Sequence, residues 1–210
     1  KFKRTERIGA IVKILSDNPN KIYTLSYFTE TFNAAKSTIS EDLLVVKNVF
    51  EKLQLGKVIT ISGAAGGVKY IPKTSIGENK QFLMELCEKI NDDSRKLSGG
   101  FLYLIDLIYD PTVVSKIGKI FASNIDYSEA DYVVTMETKG IPMALMTAKA
   151  MNLPLVIIRK DIKVSEGSTL SMTYVTGDNS KVESMSLPRK AIKPGSKVIL
   201  IDDFMRGGGT

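Results

Sequence analysis

The sequence contains no histidine, and cysteine occurs once, at Cys87. The absence of histidine excludes Ser-His and Cys-His catalysis as well as metal sites built from histidine. A single cysteine excludes a disulfide within the chain and a thiolate metal cluster, and we expect Cys87 to be a small buried residue. Apolar runs are short as well, and none approaches the ~18 residues of a membrane span. The first residues lack the pattern of a signal peptide, so we expect none. These absences predict a cytoplasmic protein.

Positive charge is present and is unevenly placed along the chain. The 210 residues fit two small domains better than one. Residues 1–73 contain 12 Lys and Arg against 6 Asp and Glu, whereas residues 74–210 contain 17 of each. The whole net charge of +6 therefore lies in the first third. This distribution is typical of a protein in which one domain contacts a polyanion such as nucleic acid.

Residues 1–73 show three helical patterns followed by a hairpin pattern. The apolar residues at helical spacing are Ile8, Ile11, Val12 and Leu15, then Leu25, Phe28 and Phe32, then Ile39, Leu43, Val46, Phe50 and Leu53. Thr38 and Glu41 have the spacing of a capping box, and Ser37 is a second candidate cap for the third helix. Two apolar segments, 58–61 and 68–71, flank a run of small residues and predict a β-hairpin.

Three helices and a hairpin in this order resemble the winged helix-turn-helix. The resemblance implies that the third helix enters the major groove by its N-terminal end, with the hairpin as the wing. The residues expected at DNA are Lys3, Arg4 and Arg7 in a basic lead-in, Lys36, Ser37, Thr38 and Ser40 on the helix, and Gly66, Gly67 and Lys69 on the wing. Glu41 and Asp42 would repel phosphate, so they point inward, cap the helix or read cytosine. The alternative is a basic helical domain that binds protein.

A boundary is predicted near Pro72, where the composition changes. Phe82, Leu83, Leu86 and Ile90 then lie on one face of an amphipathic helix, which we expect to be a linker or a dimer-packing helix. The predicted domains are therefore residues 1–73 for DNA binding, 74–98 as a linker helix and 99–210 as an effector-binding domain.

From Gly99 onward, strand and helix patterns alternate. Strands are predicted at 101–108, 132–136, 153–158 and 198–201, with helices opened by Pro111 and over 141–151, and a hairpin from 170–175 with 182–185. The last strand is expected to be buried on both faces. Such alternation predicts an α/β domain with a mostly parallel sheet, whose ligands bind at the carboxyl ends of the strands.

Charged and glycine-rich clusters follow three of these strands. The candidate effector-binding residues are Thr138, Lys139, Gly140, Arg159, Lys160, Asp202, Asp203, Phe204, Arg206, Gly207, Gly208, Gly209 and Thr210. The cations suit a pyrophosphate, the vicinal carboxylates suit ribose hydroxyls or a hydrated Mg²⁺, and glycine N–H groups suit a phosphate. No catalytic residue and no protein metal site are predicted.

The last thirteen residues, VILIDDFMRGGGT, resemble the phosphoribosyl-pyrophosphate (PRPP) loop of the type I phosphoribosyltransferases. In that family the spacer before the glycines usually carries small residues, where this chain has Arg206 and Gly207. With both halves considered, the chain resembles the bacterial purine operon repressors, through KSTISEDL (36–43), GAAGGVKYIP (63–72), TKGIP (138–142), RKDIKVSEGST (159–169) and DDFMRGGGT (202–210). The resemblance implies a homodimer without catalytic activity that represses purine synthesis genes and leaves its operator when PRPP binds, with Mg²⁺ accompanying PRPP.

Four further hypotheses follow from these residues. A guanine nucleotide phosphorylated at both ends competes with PRPP, with Phe204 against its base and Arg206 on its phosphates. Two alternatives remain open: an active purine phosphoribosyltransferase with a DNA-binding module, and a plain DNA-binding protein whose α/β domain only dimerises. A parallel-sheet domain that ended at Thr210 would lack a covering helix, so we expect the natural protein to continue.

Overall fold

The computed structural model of this chain describes residues 2–63, 66–160, 167–175 and 182–205. The helices are α1 (Arg4–Asp17), α2 (Leu25–Phe32), α3 (Lys36–Lys52), α4 (Ile76–Ile90), α5 (Ile105–Ile108), α6 (Pro111–Asn124) and α7 (Ile141–Met151). The strands are β1 (Gly56–Ile61), β2 (Gly67–Pro72), β3 (Tyr132–Met136), β4 (Leu155–Ile158), β5 (Thr169–Val175), β6 (Val182–Pro188) and β7 (Val198–Leu200). Within these residues, no helix has the length and apolar character needed to cross a membrane.

The chain divides into two units. One comprises Lys1–Glu88 with Ala150–Asn152, and the other comprises Lys89–Lys149 with Leu153–Thr210.

Up to Pro72, the first unit is built from three helices and a hairpin around one apolar core, as predicted. Its buried core residues are Ile11, Leu15, Tyr23, Phe28, Phe32, Ile39, Leu43, Val46, Phe50, Val58 and Val68. β1 and β2 pair antiparallel, with Val58 opposite Tyr70. A bridge between Tyr23 and Val68 ties the segment before α2 to the hairpin. The helical and alternating apolar patterns of the sequence therefore fall on the faces that pack together.

The predicted start of α3 is wrong, by three residues for the Thr38 cap and by two for the Ser37 cap. The helix begins at Lys36 with Ala35 as its N-cap, and no side chain caps it, so Thr38 and Glu41 are internal helix residues. Asn33 ends α2 in the left-handed conformation (φ 46°), and Ala34 and Ala35 lead directly into α3, which leaves no room for a later start. At the other end α3 stops at Lys52, and Leu53 leaves the apolar face with 63% of its surface exposed.

The predicted amphipathic helix is present as α4, but no residue of it is buried. Phe82, Leu86 and Ile90 are half-buried and Leu83 is exposed. Cys87 is exposed, so its predicted burial is wrong. The physical reason is that the described elements leave every face of α4 at least partly open to solvent.

The second unit contains a three-stranded parallel sheet in the order β4-β3-β7. Asp110 caps α6 by accepting hydrogen bonds from the N–H groups of Thr112 and Val113, and Pro111 occupies the first turn, as predicted. α6 packs closely on α7 at Gly118, where a Cβ atom would lie 2.6 Å from the carbonyl carbon of Met146. β5 and β6 form the predicted antiparallel hairpin.

The predicted strand over residues 101–108 is wrong. Its second half is the short helix α5, and only Leu102 forms a bridge, with Lys96. The Arg95 guanidinium donates two hydrogen bonds of 2.7 Å to Asp106, and Arg95 O accepts from Tyr103 N. This ion pair folds residues 95–106 back on themselves, which an extended strand would not allow.

The last strand is also less buried than predicted. β7 spans three residues at the edge of its sheet, and Val198 and Leu200 are 46% and 62% exposed. Ile199 is half-buried and Ile201 is buried, because alternate residues of a strand point to opposite faces. Among the described residues, one face of β7 is therefore covered and the other is open.

Candidate functional site

The N-terminal end of α3 presents several of the residues predicted to contact DNA. Lys36, Ser37 and Ser40 are exposed and Thr38 is half-buried. The Ser40 hydroxyl donates to Lys36 O (2.9 Å). Because no side chain caps this end of α3, its first backbone N–H groups suit an external acceptor such as a phosphate oxygen.

The basic lead-in contains two kinds of arginine. Lys3 and Arg4 are exposed, as a phosphate contact requires. Arg7 is buried, and its Nε atom donates to Asp42 Oδ2 at 2.6 Å. A carboxylate 35 residues away in the sequence thus holds the Arg7 guanidinium inside the unit, which argues against the predicted contact of Arg7 with DNA. Asp42 points inward, one of the three orientations expected for it.

The two wing glycines contact their own domain. A Cβ atom at Gly67 would lie 2.2 Å from Tyr23 O, and one at Gly66 would lie 2.3 Å from Ile61 O. Gly67 is buried against Tyr23, which argues against the predicted contact of Gly67 with DNA. Ala64 and Ala65 at the predicted tip lie outside the described residues.

The wing carries one further basic residue, Lys57, that was not predicted from the sequence. In the hairpin register Ile59 lies opposite Lys69, and Lys57 precedes Ile59 by two residues. Lys57 and Lys69 therefore share one face of the hairpin, the face opposite the buried Val58 and Val68. Lys57 is exposed. The alternation of side chains along β1, with a period of two residues, is the sequence signal that would have identified Lys57.

The three predicted effector clusters meet at one edge of the parallel sheet. β3 ends at Met136 before residues 138–140, β4 ends at Ile158 before residues 159–160, and β7 ends at Leu200 before residues 202–203. All three strands run in the same direction with β3 in the middle. Their carboxyl ends therefore lie side by side, as the sequence predicts.

Gly140 is the point of contact between two of these clusters. A Cβ atom there would lie 2.7 Å from Thr135 Oγ1, 3.2 Å from Asp202 Oδ1 and 3.4 Å from Asp202 Cα. Gly140 and Thr135 are both buried. The missing side chain thus permits the loop after β3 to approach the first carboxylate after β7.

The two cations after β4 are held by carboxylates. Glu137 accepts a hydrogen bond from Arg159 Nη1 (3.1 Å) and another from Lys160 N (2.7 Å). Lys160 Nζ pairs with Glu183 Oε2 at 3.3 Å, and the Tyr174 hydroxyl donates to the same oxygen (2.8 Å). Neither Glu137 nor Glu183 was predicted from the sequence, although Glu137 directly precedes the predicted cluster 138–140. The positive charge at this edge is therefore partly neutralised by residues of β6 and of the loop after β3.

Lys139 differs from these two cations. It is exposed, like Thr138, and it forms no ion pair with any residue that the structure describes. The β5–β6 hairpin makes a further contact at the carboxyl end of β4, in addition to the pair between Lys160 and Glu183. Arg159 exchanges two backbone hydrogen bonds with Ser186 of β6, at 2.9 and 2.7 Å. Of Lys139, Arg159 and Lys160, Lys139 is thus the cation most available to an incoming anion. The β5–β6 hairpin lies against the neighbouring end of β4.

The paired carboxylates differ in their surroundings. Asp202 is exposed as a residue, yet partial burial of its carboxyl group raises its pKa, an effect that the Asp203 N–H (2.9 Å) opposes and the Asp203 carboxyl group reinforces. Asp203 is half-buried. Phe204 is 63% exposed, as a contact with a ligand's base requires. Arg206 and the loop residues Gly207, Gly208, Gly209 and Thr210 lie outside the described residues.

The described residues contain no group of three or more His, Cys, Asp or Glu able to hold a metal ion. Two adjacent carboxylates, Asp202 and Asp203, still suit Mg²⁺ that arrives with a phosphate ligand, because Mg²⁺ typically takes one or two carboxylates together with phosphate oxygens and water.

Comparison with known proteins matches two family models to separate parts of the chain. The family model "Bacterial purine repressor, N-terminal" matches residues 3–72, and the model "Phosphoribosyl transferase domain" matches residues 105–210. The purine biosynthesis transcriptional repressor PurR of Bacillus subtilis is 45% identical over 210 residues, all of this chain and 74% of that protein. The purine biosynthesis transcriptional activator PurR of Lactococcus lactis is 38% identical over 209 residues, all of this chain and 77% of that protein.

A solved structure supports the fold of the second unit. Adenine phosphoribosyltransferase from Rhodothermus marinus matches with a TM-score of 0.52 and 22% identity, over 62% of this chain and 74% of the enzyme chain. At this identity the match establishes the fold alone. Together with the matches at 45% and 38% identity over the whole of this chain, these findings mean that the chain belongs to the PurR family of bacterial purine biosynthesis transcriptional regulators.

Proposed function

We propose that this protein represses purine biosynthesis genes as a homodimer and that PRPP relieves the repression. The first unit binds double-stranded operator DNA through the N-terminal end of α3, the lead-in residues Lys3 and Arg4 and the wing. PRPP binds at the carboxyl edge of β4-β3-β7 and shifts the dimer toward a weaker-binding arrangement. The observation that carries the proposal is the approach of Gly140 to Asp202 in a chain whose other unit belongs to a DNA-binding family. A repressor of operator DNA acts in the bacterial cytoplasm, where we place this protein.

Each cluster of the effector site has a proposed task. Thr138, Lys139, Arg159 and Lys160 bind the pyrophosphate, Lys139 most directly because it has no ion-pair partner among the described residues. Asp202 and Asp203 accept hydrogen bonds from the ribose hydroxyls and complete the ligands of the Mg²⁺ that accompanies PRPP. Following the family resemblance, the loop Gly207–Thr210 binds the 5′-phosphate through its N–H groups.

We propose that this protein is a sensor without catalytic activity. The specific alternative is an active purine phosphoribosyltransferase that carries a DNA-binding unit, which the match of residues 105–210 to a phosphoribosyl transferase domain favours. The two are separated by incubating the protein with PRPP, Mg²⁺ and each purine base. Release of pyrophosphate that depends on the base would identify the enzyme, whereas a sensor releases none.

A second ligand is proposed for the same site. A guanine nucleotide phosphorylated at both ends competes with PRPP, with its base on Phe204 and its phosphates on Arg206. The exposure of the Phe204 ring supports this role. Calorimetric titration of PRPP with and without such a nucleotide tests it, and an unchanged PRPP affinity would rule out competition.

The proposal as a whole is tested by operator affinity at fixed salt, with and without PRPP and Mg²⁺. We expect PRPP to weaken operator binding in the wild type and to have no effect when Asp202 and Asp203 are both replaced by Asn. Operator binding unaffected by PRPP would refute the sensor. Because one relative is named an activator, a reporter gene behind the same operator must also be measured: reporter output that rises on deletion of the protein supports repression, and output that falls contradicts it.

A further inference from the structure

A buried carboxylate in α3 holds two arginines of the lead-in. Asp42 is 1% exposed, and each of its oxygens faces an arginine of α1. Oδ2 lies 2.6 Å from Arg7 Nε, and Oδ1 lies 3.5 Å from Arg4 Nε. The helix predicted to enter the major groove is thus linked by one carboxylate to the basic segment at the start of the chain.

Arg7 extends this link to the residues before α1. Its Nη1 atom donates to Phe2 O at 3.0 Å, and the Phe2 ring lies edge-on against Phe32, with ring centroids 5.5 Å apart. The backbone N–H of Lys3 donates to Glu6 Oε2 at 2.7 Å. Three independent contacts therefore fix residues 2 and 3 against the first unit, and the basic lead-in is an ordered part of it.

The two arginines have different exposures. The Arg7 side chain is 10% exposed, whereas that of Arg4 is 58% exposed. A guanidinium has five N–H donors, and the contact with Asp42 engages Arg4 through Nε. No hydrogen bond joins the Nη atoms of Arg4 to a residue that the structure describes, so these donors suit an anion outside the unit, while Asp42 restricts the direction in which they point.

Stability alone does not account for this arrangement. Removing two charges from water costs as much as their attraction returns, and well-packed apolar residues often replace a buried ion pair without loss of stability. A fixed guanidinium, in contrast, binds phosphate without first losing side-chain freedom, which improves affinity.

We propose that Asp42 is a positioning residue for operator binding: it fixes the lead-in against α3 through Arg7 and orients Arg4 toward a DNA phosphate. The carboxylate that would repel DNA on the surface of α3 acts instead from inside the unit. This proposal rests on operator binding by the first unit and is independent of the effector.

The test is a double-mutant cycle on operator affinity, using the full chain without effector and a DNA duplex from the control region of a purine biosynthesis operon of the source bacterium. The paired substitution Arg7→Met with Asp42→Leu removes the buried pair without leaving an unpaired charge and keeps the net charge unchanged. Arg4→Ala is made in the wild type and in this background. Thermal unfolding of every variant verifies that the unit is folded, and Asp42→Asn serves as a second background that keeps the side-chain shape.

We expect Arg4→Ala to weaken operator binding about 10-fold in the wild type, as for a lost charge-assisted hydrogen bond, and to have less than about a twofold effect in either background. The slope of log affinity against log salt should fall by about 0.9 when Arg4 is removed from the wild type, and by much less in the backgrounds. Lys13→Ala is the matched control, because Lys13 is an exposed cation of α1 whose partner is Asp17; it should act equally in all backgrounds.

Equal effects of Arg4→Ala in the wild type and in the folded backgrounds would overturn the proposal, and so would wild-type affinity in the Arg7→Met, Asp42→Leu protein. A wild-type protein that binds the duplex without salt dependence would instead contradict the proposed function. The two failures are therefore distinguishable.

Discussion

At the scale of single residues, Gly140 is a position where one added methyl group should weaken ligand binding at the effector site. In the Gly140→Ala protein the new methyl group would meet Thr135 Oγ1 at 2.7 Å and Asp202 Oδ1 at 3.2 Å. Overpacking of this kind typically costs about 1–3 kcal/mol. Because the strain falls between the loop after β3 and Asp202, we expect PRPP affinity to fall by about 10-fold, or about 1.4 kcal/mol. Isothermal titration calorimetry measures this change.

Two other glycines serve as controls for that experiment. A Cβ atom at Gly77 would have only Ser75 Oγ near it, at 3.9 Å, so Gly77→Ala should leave PRPP affinity unchanged. Gly118→Ala would strike the backbone of α7 away from the strand ends, and it should lower the unfolding temperature. If Gly140→Ala destabilised the protein as Gly118→Ala does but bound PRPP normally, the loop approach at Gly140 would have no role in the site.

Asp202 should make stability depend on pH in an unusual direction for an aspartate. Partial burial raises its pKa above 3.8, so the folded state holds the proton more tightly than the unfolded state. The carboxyl group therefore favours folding below the ordinary pKa, and that contribution is lost as the pH rises through the raised value. We expect Asp202→Asn to gain unfolding temperature relative to the wild type as the pH rises from about 3.8 toward neutrality.

Asp126 provides the opposite sign for comparison. The backbone N–H of Ser128 donates to its carboxylate at 3.0 Å, and hydrogen bonding holds its pKa below 3.8. Its contribution is present above the ordinary pKa and is lost as the pH falls through the lowered value. Asp126→Asn should therefore lower the unfolding temperature at neutral pH, and the difference should vanish in acid. Parallel pH profiles for the two variants would contradict the burial of the Asp202 carboxyl group.

At the scale of elements, the carboxyl end of β4 is where neighbouring segments set the available charge. Glu137 accepts from Arg159 and from the Lys160 backbone, so its carboxylate competes with any anion for the Arg159 guanidinium. Glu137→Gln keeps an acceptor for Lys160 N and removes the negative charge. We expect PRPP to bind about 5- to 10-fold more tightly to this variant, as for the loss of a repulsion of about 1 kcal/mol near a protein surface. Calorimetry at fixed Mg²⁺ measures it.

Glu183→Gln is the matched control, because it removes one negative charge from the β5–β6 hairpin rather than from the loop after β3. Its pair with Lys160 is more exposed, at 54% and 35%, and such pairs contribute little. We expect less than a threefold change in PRPP affinity. Weaker binding by Glu137→Gln would mean that Glu137 serves to hold Arg159 in a productive position.

Elements with local signals could be predicted from the sequence, and those that depend on distant partners could not. α7 was predicted over its observed span, and Pro111 with its Asp110 cap marks the start of α6, because both signals lie within one turn. The convergence of three charged clusters followed from strand direction alone. The prediction of a strand over residues 101–108 was wrong because Asp106 pairs with Arg95. The spacing of apolar residues carries no information about such an ion pair.

The same limit applies to the candidate sites. Composition marked Arg4 and Arg7 as equivalent cations, yet Asp42 buries one of them and leaves the other exposed. Gly67 resembled a wing-tip residue, but the bridge between Tyr23 and Val68 brings Tyr23 against it. Exposure at each of these positions is decided by a tertiary neighbour that lies far away in the sequence. Local sequence patterns do not reveal which distant residues will be in contact.

At the scale of the whole molecule, the two units must be coupled in both directions if the proposed function holds. A ligand that weakens operator binding by a given factor must itself be bound more weakly, by the same factor, when operator is present. We expect that factor to lie in the range of roughly 5 to 150. The measurement is a pair of titrations at one salt concentration: operator affinity with and without saturating PRPP and Mg²⁺, and PRPP affinity with and without saturating operator. The protein with Asp202→Asn and Asp203→Asn should bind operator with wild-type affinity and show a factor near one in both titrations. Unequal factors in the wild type would show that PRPP acts on the DNA or on the oligomeric state rather than through a conformational equilibrium of this chain, because reciprocity is a thermodynamic requirement of coupling between two sites on one molecule.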